Sequence, residues 1–95
     1  MVLEWLTGRR GKPASPTEVV LYTRAGCHLC ADARAVLEAA GLSHPLTLRV
    51  VDVDADPELA ARYGLEIPVV VIDGKLRFRG RVNAALLERL LRKRR

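Results

Sequence analysis

The most constraining stretch of this chain is Arg24-Ala25-Gly26-Cys27-His28-Leu29-Cys30, a Cys-x-x-Cys set where an apolar run ends and a helical pattern begins. It holds both cysteines of the chain. A thiol at the first turn of a helix faces backbone N–H groups that have no partner within the helix, together with the positive end of the helix dipole, so its thiolate is favoured. Cys27 occupies that position. The spacing sets Cys30 one turn further in, within reach of a mixed disulfide formed on Cys27. The same spacing supplies half of many zinc sites. At this point the pair reads either as a redox couple or as part of a metal site.

The 95 residues make one small domain with one modest core. No apolar run approaches the roughly 20 residues of a membrane-spanning helix, and Met1 to Leu6, with Glu4 inside it, is a poor signal peptide. The expectation is therefore a cytoplasmic protein with no membrane partner. A disulfide closing so short a loop constrains little of the unfolded chain, and in the cytosol such a pair reads as catalytic or metal-binding. The net charge of +5 gathers at the ends, in Arg9, Arg10 and Lys12 and in Arg92-Lys93-Arg94-Arg95. These runs read as solvated tails, with contact to nucleic acid or an acidic partner as the alternative. No aromatic residues interleave them to stack on bases, so a nucleic-acid role is not expected.

Gly8, Gly11, Pro13 and Pro16 set residues 1–16 apart as an N-terminal extension, in which Trp5 reads as a packing anchor. Residues 17–95 form the domain, ending in the basic tail. Glu18 to Thr23 reads as a strand buried on both faces. From His28 to Ala40 a helix follows, with Leu29, Ala33, Val36, Leu37 and Ala40 as its apolar stripe and Gly41 as its stop. Leu46 to Val53 is a second strand, parallel to the first because a helix joins them. Asp56-Pro57-Glu58 carries the cap, the first-position proline and the first-turn acid of a short helix that presents Leu59, Ala60 and Tyr63 inward and ends at Gly64. Ile67 to Ile72 reads as a third strand, opening on a proline. Asp73-Gly74 is a hairpin turn into Lys75 to Arg79. Asn83 then caps a final helix striped with Leu86, Leu87, Leu90 and Leu91, leaving Glu88 in water. His44 falls in a loop and reads as a surface residue. The expected class is α/β: a four-stranded mixed sheet flanked by three helices in the order β-α-β-α-β-β-α, with Cys27 at the carboxyl end of the first strand, where such sheets place their sites.

Tyr22 to Cys30, then Tyr63-Gly64-Leu65-Glu66-Ile67-Pro68, then the Asp73-Gly74 hairpin, in this order and at these separations, resemble the glutaredoxins and the wider thioredoxin superfamily. The likeness covers about residues 18 to 92. It looks greatest to a short bacterial glutaredoxin-like subgroup that carries Cys-His-Leu-Cys. The resemblance implies a thioredoxin-like fold and a cis peptide bond at Ile67-Pro68 facing the cysteines, with the backbone of Ile67 pairing with substrate; a trans proline that merely starts a strand is the competing reading. Thioredoxins carry an Asp and a Trp where this chain has Leu21 and Gly26. Glutaredoxins often have a basic residue at the place of Arg24, which by resemblance would hold a glutathione carboxylate or stabilise the Cys27 thiolate; a freely solvated Arg24 is the alternative.

The chain departs from the glutaredoxin pattern in three places. His28 and Leu29 replace a Pro-Tyr pair, Glu66 and Ile67 replace a Thr-Val pair, and Gly80-Arg81-Val82-Asn83 stands where the family binds the γ-glutamyl group. By resemblance Arg81 and Asn83 join Arg24, His28, Ile67 and Pro68 as substrate-binding candidates, with Cys27 and Cys30 catalytic. His28, when protonated, stabilises the neighbouring thiolate, or is exposed and indifferent. The expected function is a monomeric thiol–disulfide oxidoreductase with no bound cofactor. Its substrate is a protein disulfide or a glutathionylated partner, glutathione is a candidate co-substrate, and an external thiol or reductase restores the dithiol. The alternatives are a metal or iron–sulfur module completed by His28, His44 or a second subunit, and a redox-sensitive adaptor whose basic tails dock a partner.

Overall fold

The computed structural model describes residues 16–94, so the expected extension lies, except for its last residue, outside the described residues. Strand β1 (Thr17–Thr23) leads through the Cys-x-x-Cys loop to helix α1 (His28–Ala40), strand β2 (Leu46–Asp52), a single 3-10 turn (Val53–Ala55) and helix α2 (Pro57–Tyr63). Strands β3 (Val69–Ile72) and β4 (Lys75–Arg79) then form a hairpin, and helix α3 (Ala84–Lys93) closes the chain. One mixed sheet has the order β2-β1-β3-β4. β1 runs parallel to β2 and antiparallel to β3, and β3 is antiparallel to β4. The α/β class, strand number and helix number are those expected.

Alternation along β1 builds the two layers. Val19 and Leu21 point into a core with Ala33 and Leu37 of α1, Val70 and Ile72 of β3, Phe78 of β4, and Leu87 and Leu91 of α3. On the other face, Tyr22 meets Tyr63 of α2, with ring centroids 4.6 Å apart and planes inclined by 34°. Helices α1 and α3 therefore cover one face, and α2 leans on the other without burying any residue fully. β1 is accordingly buried on one face and half-buried on the other, not on both as its apolar run led us to expect.

Local chemistry sets the ends of the elements. Asp56 accepts the Glu58 N–H and Asn83 the Leu86 N–H, capping α2 and α3 as expected. Asp73 and Gly74 both take positive φ, 48° and 84°, the geometry a two-residue hairpin turn needs. Four expectations need correction. The third strand begins at Val69, after the proline rather than on it, because Pro68 has no N–H to give a ladder and Gly80 N–H instead bonds the Pro68 carbonyl. Leu86 lies off the buried stripe of α3: it is 47% exposed whereas Leu87 is 1% exposed. His44 is not a surface residue. Its side chain is only 16% exposed, and Nε2 lies 3.0 Å from both oxygens of the half-buried Glu88, tying the α1–β2 loop to α3. Arg94 is exposed but is not a free tail residue; its guanidinium pairs with Asp73 at the hairpin.

The corrected register of α3 has a direct check. Urea unfolding of Leu87→Ala should show a loss of about 2–5 kcal/mol, the range for truncating a buried leucine, while Leu86→Ala should stay within about 0.5 kcal/mol of the parent.

Candidate active site

Three chain segments converge at the carboxyl end of β1. The register pairs Thr23 with Asp52 on β2 and Tyr22 with Val69 on β3. The Cys-x-x-Cys loop, the 3-10 turn that follows β2 and the Ile67-Pro68 segment that precedes β3 therefore sit side by side. The Ile67-Pro68 peptide is cis, as the resemblance implies. Gly26 turns the loop with a φ of +77°, a backbone conformation that favours glycine.

Cys27 is the N-cap of α1, half-buried, and its Sγ accepts the Cys30 N–H at 3.1 Å. No acidic residue occupies the first turn of α1 to oppose a negative sulfur there. Cys30 is 5% exposed and heads the inward stripe that continues through Ala33 and Leu37. This corrects the expected stripe, since Leu29 is 37% exposed and points away from the core. Burial, then the hydrogen-bonded and charged Cys27 sulfur, push the Cys30 thiol up to about 11, with the backbone and charge of Arg24 acting the other way. Both cysteines are free thiols.

Arg24 is committed rather than solvated. Its Nε and Nη2 form a bidentate pair with Asp54 at 2.9 and 2.7 Å, and Nη1 donates to the Gly64 carbonyl at 3.0 Å. The hydrogen bonds and charge of Asp54 raise the Arg24 guanidinium above its ordinary range, and Arg24 in turn lowers the Asp54 carboxyl. Gly64 is itself required: a Cβ there would collide with the Ala60 carbonyl oxygen. Asp54 was not among the expected site residues. The available signal was an acid just beyond a strand parallel to the one that delivers Arg24, whereas Asp52 and Asp56 serve as local caps.

The other candidates divide. His28 is exposed in the first turn of α1. Arg81 lines a small pocket of about 70 Å³ with Leu29 and Val82, beside α1. Asn83 spends its side-chain oxygen on the α3 cap. Glu66, beside Ile67, pairs with Arg79 at 3.5 Å. Among the described residues no three His, Cys, Asp or Glu side chains come together as a ligand set. No helix among them is long and apolar enough to cross a membrane.

A parallel strand pair, a hairpin antiparallel to its first strand and a thiol capping the helix between them make this a thioredoxin-fold protein, and solved structures share the architecture. The chain is similar to protein Ne2328 from Nitrosomonas europaea, with a TM-score of 0.74 and 24% identity over 86% of this chain and 99% of that one. It is likewise similar to a thioredoxin variant from Halobacterium salinarum, with a TM-score of 0.63 and 21% identity over 83% and 74%. Within that fold, residues 18–92 match the Glutaredoxin-like domain (DUF836), and the chain belongs to that family. An uncharacterized protein of Mycobacterium tuberculosis, Rv0508, is 37% identical over 68 residues, 64% of this chain and 68% of the relative.

The asymmetry between the thiols predicts their labelling. Iodoacetamide at pH 7 should modify one cysteine per folded chain, located to Cys27 by mass spectrometry, with Cys30 reacting only after unfolding. Because the folded Cys30 value lies above the ordinary 9.0, its neutral thiol contributes stability that is complete below pH 9 and is lost as pH rises through about 11. Thermal melts of the reduced protein should fall across that window, and those of Cys30→Ala should fall less.

Proposed function

We propose that the protein is a thiol–disulfide oxidoreductase acting on disulfides in other proteins. The observation that carries this reading is the contrast between Cys27, half-buried at the helix N-cap, and Cys30, buried behind it with its thiol raised to about 11. Cys27 as thiolate attacks one sulfur of the substrate disulfide, and the other sulfur leaves as a thiolate that takes a proton. Two of the causes that raise Cys30, its hydrogen bond to Cys27 and the charge of Cys27, vanish once the Cys27 sulfur is in the mixed disulfide. Burial, the largest cause, remains, but with those two removed Cys30 gives up its proton more readily and attacks Cys27, releasing the second substrate thiol. Two electrons pass from the dithiol to the substrate, leaving Cys27 and Cys30 joined. An external thiol or a reductase supplies the electrons that restore them, which suits a reducing compartment.

Two features favour a protein disulfide over a glutathione mixed disulfide. Arg24, which by family resemblance would grip a glutathione carboxylate, already has its fork filled by Asp54 and Gly64. Glu66, whose pair with Arg79 is long at 3.5 Å and exposed, puts a carboxylate beside Ile67, where a tripeptide bearing two carboxylates would meet like charge.

Cys27→Ser should abolish turnover, and Cys30→Ser should accumulate a mixed disulfide with a protein substrate, visible by non-reducing electrophoresis. Reduction of insulin disulfides should proceed faster than reduction of a glutathionylated peptide under the same reductant; the reverse order would give the site to glutathione. Asp54→Asn, which removes the charge and one acceptor from the Arg24 fork, should lower the ratio of KM for the glutathionylated peptide to KM for the protein disulfide severalfold, even as loss of the buttress slows turnover of both.

A further inference from the structure

At the end of the sheet opposite the cysteines, a groove of about 430 Å³ opens between the β3–β4 hairpin and the last turn of α3. Its floor is aliphatic, formed by the half-buried Leu90 and the outer edge of the buried Ile72, and Lys75, Arg77 and Lys93 stand around it. The local backbone explains this clustering. Val70 pairs with Phe78 but Val71 with Leu76, so Arg77 is the extra residue of a β-bulge. Lys93 belongs to the final turn of α3. Asp73, the one acid lining the groove, is already neutralised: it pairs with Arg94 and accepts the Glu18 N–H at 3.0 Å. Lys75, Arg77 and Lys93 have no ion-pair partner among the described residues.

We infer that this groove binds an acidic peptide segment of a partner protein, with aliphatic side chains on its floor and carboxylates on Lys75, Arg77 and Lys93. Charge decides among the occupants. The chain's own residues 1–16 carry Arg9, Arg10 and Lys12 against Glu4 alone and meet repulsion in the groove, while a second copy approaches with a net charge of +5 and its acidic run is already engaged, Asp54 by Arg24 and Asp52 and Asp56 by local backbone N–H groups. A nucleic acid would find phosphate contacts, yet the lining holds no aromatic ring on which a base could stack. An acidic, partly aliphatic peptide satisfies both the cations and the floor. The hairpin is anchored at the start of β1, where Asp73 N–H bonds the Glu18 carbonyl at 2.8 Å, and Cys27 follows the end of that strand. A seven-residue strand spans about 20 Å, so a segment held here leaves the cysteines open.

Fluorescence anisotropy with a labelled twelve-residue peptide of alternating Glu and Leu tests the inference on the full chain. Binding in the micromolar range should weaken as salt rises. It should fall at least about tenfold in Lys75→Glu/Arg77→Glu/Lys93→Glu, while that variant keeps its thermal midpoint and its reduction of a small-molecule disulfide. An all-Glu peptide should bind less tightly than the Glu-Leu peptide, and so should a single-stranded oligonucleotide of equal charge. Unchanged peptide affinity in the triple variant, an oligonucleotide that binds as tightly as the peptide, or no peptide binding below millimolar concentration would each overturn it. The binding assay uses no redox step, so its outcome is independent of the activity proposed for Cys27 and Cys30.

Discussion

The arrangement of the site depends on one buttress, the Arg24 guanidinium held between the Asp54 carboxylate and the Gly64 carbonyl. Arg24 is the first residue beyond β1, Asp54 lies in the 3-10 turn beyond β2, and Gly64 closes α2 just before the segment that runs to the cis proline. None of these three segments is fixed in place by the sheet ladder, because all lie past its ends. A planar fork with several donors can hold three chain segments in one geometry, which a flexible ammonium cannot do as well. The pair is too exposed to add much to global stability. Its contribution is geometric: it keeps the loop that carries Cys27 and the segment that carries Ile67 and Pro68 in register with each other.

The two cysteines, four residues apart inclusive, differ because the helix places them differently. The N-cap position leaves Cys27 outside the helical turn, with a backbone N–H directed at its sulfur. Three residues on, the helix has rotated Cys30 onto the face it buries against the sheet. Each cysteine then perturbs the other. Burial, then the hydrogen bond to Cys27, holds the Cys30 proton in place, and covalent capture of Cys27 removes the second of these. The spacing thus sets Cys27 forward as the attacking thiol and Cys30 behind it as the resolving one.

Nearly all of the fold was legible in the sequence, because its signals are local. The Asp56 and Asn83 caps, the proline at the start of α2 and the Asp73-Gly74 turn each act within a few residues, and each appears where its chemistry requires. The errors arose where distant segments decide. The side a leucine faces on α3 is set by the sheet beneath it, so Leu86 and Leu87 look alike in sequence and differ in burial. The partners of Arg24 lie 30 and 40 residues away, and that of His44 lies 44 residues away. Reading Arg24 as a freely solvated cation followed from its place beside the cysteines, and the structure instead bonds it to Asp54 and Gly64.

The basic residues of the hairpin also meet a need of the sheet. β4 is an outer strand, and a free edge invites pairing with another chain unless charge or irregularity blunts it. Lys75, Arg77 and Arg79 supply the charge, and the bulge at Arg77 breaks the regular ladder. Protection of the edge alone, however, does not account for a groove beside it in which cations from two elements converge over Leu90 and the rim of the core residue Ile72. A lysine that only guards an edge can stand over open solvent, whereas Lys75 and Arg77 share their groove with Ile72, Leu90 and Lys93, which come from two other elements. The bulge that interrupts the edge also adds a cation to the groove, so one irregularity in β4 serves both to discourage indiscriminate strand pairing and to shape a selective surface for acidic chains.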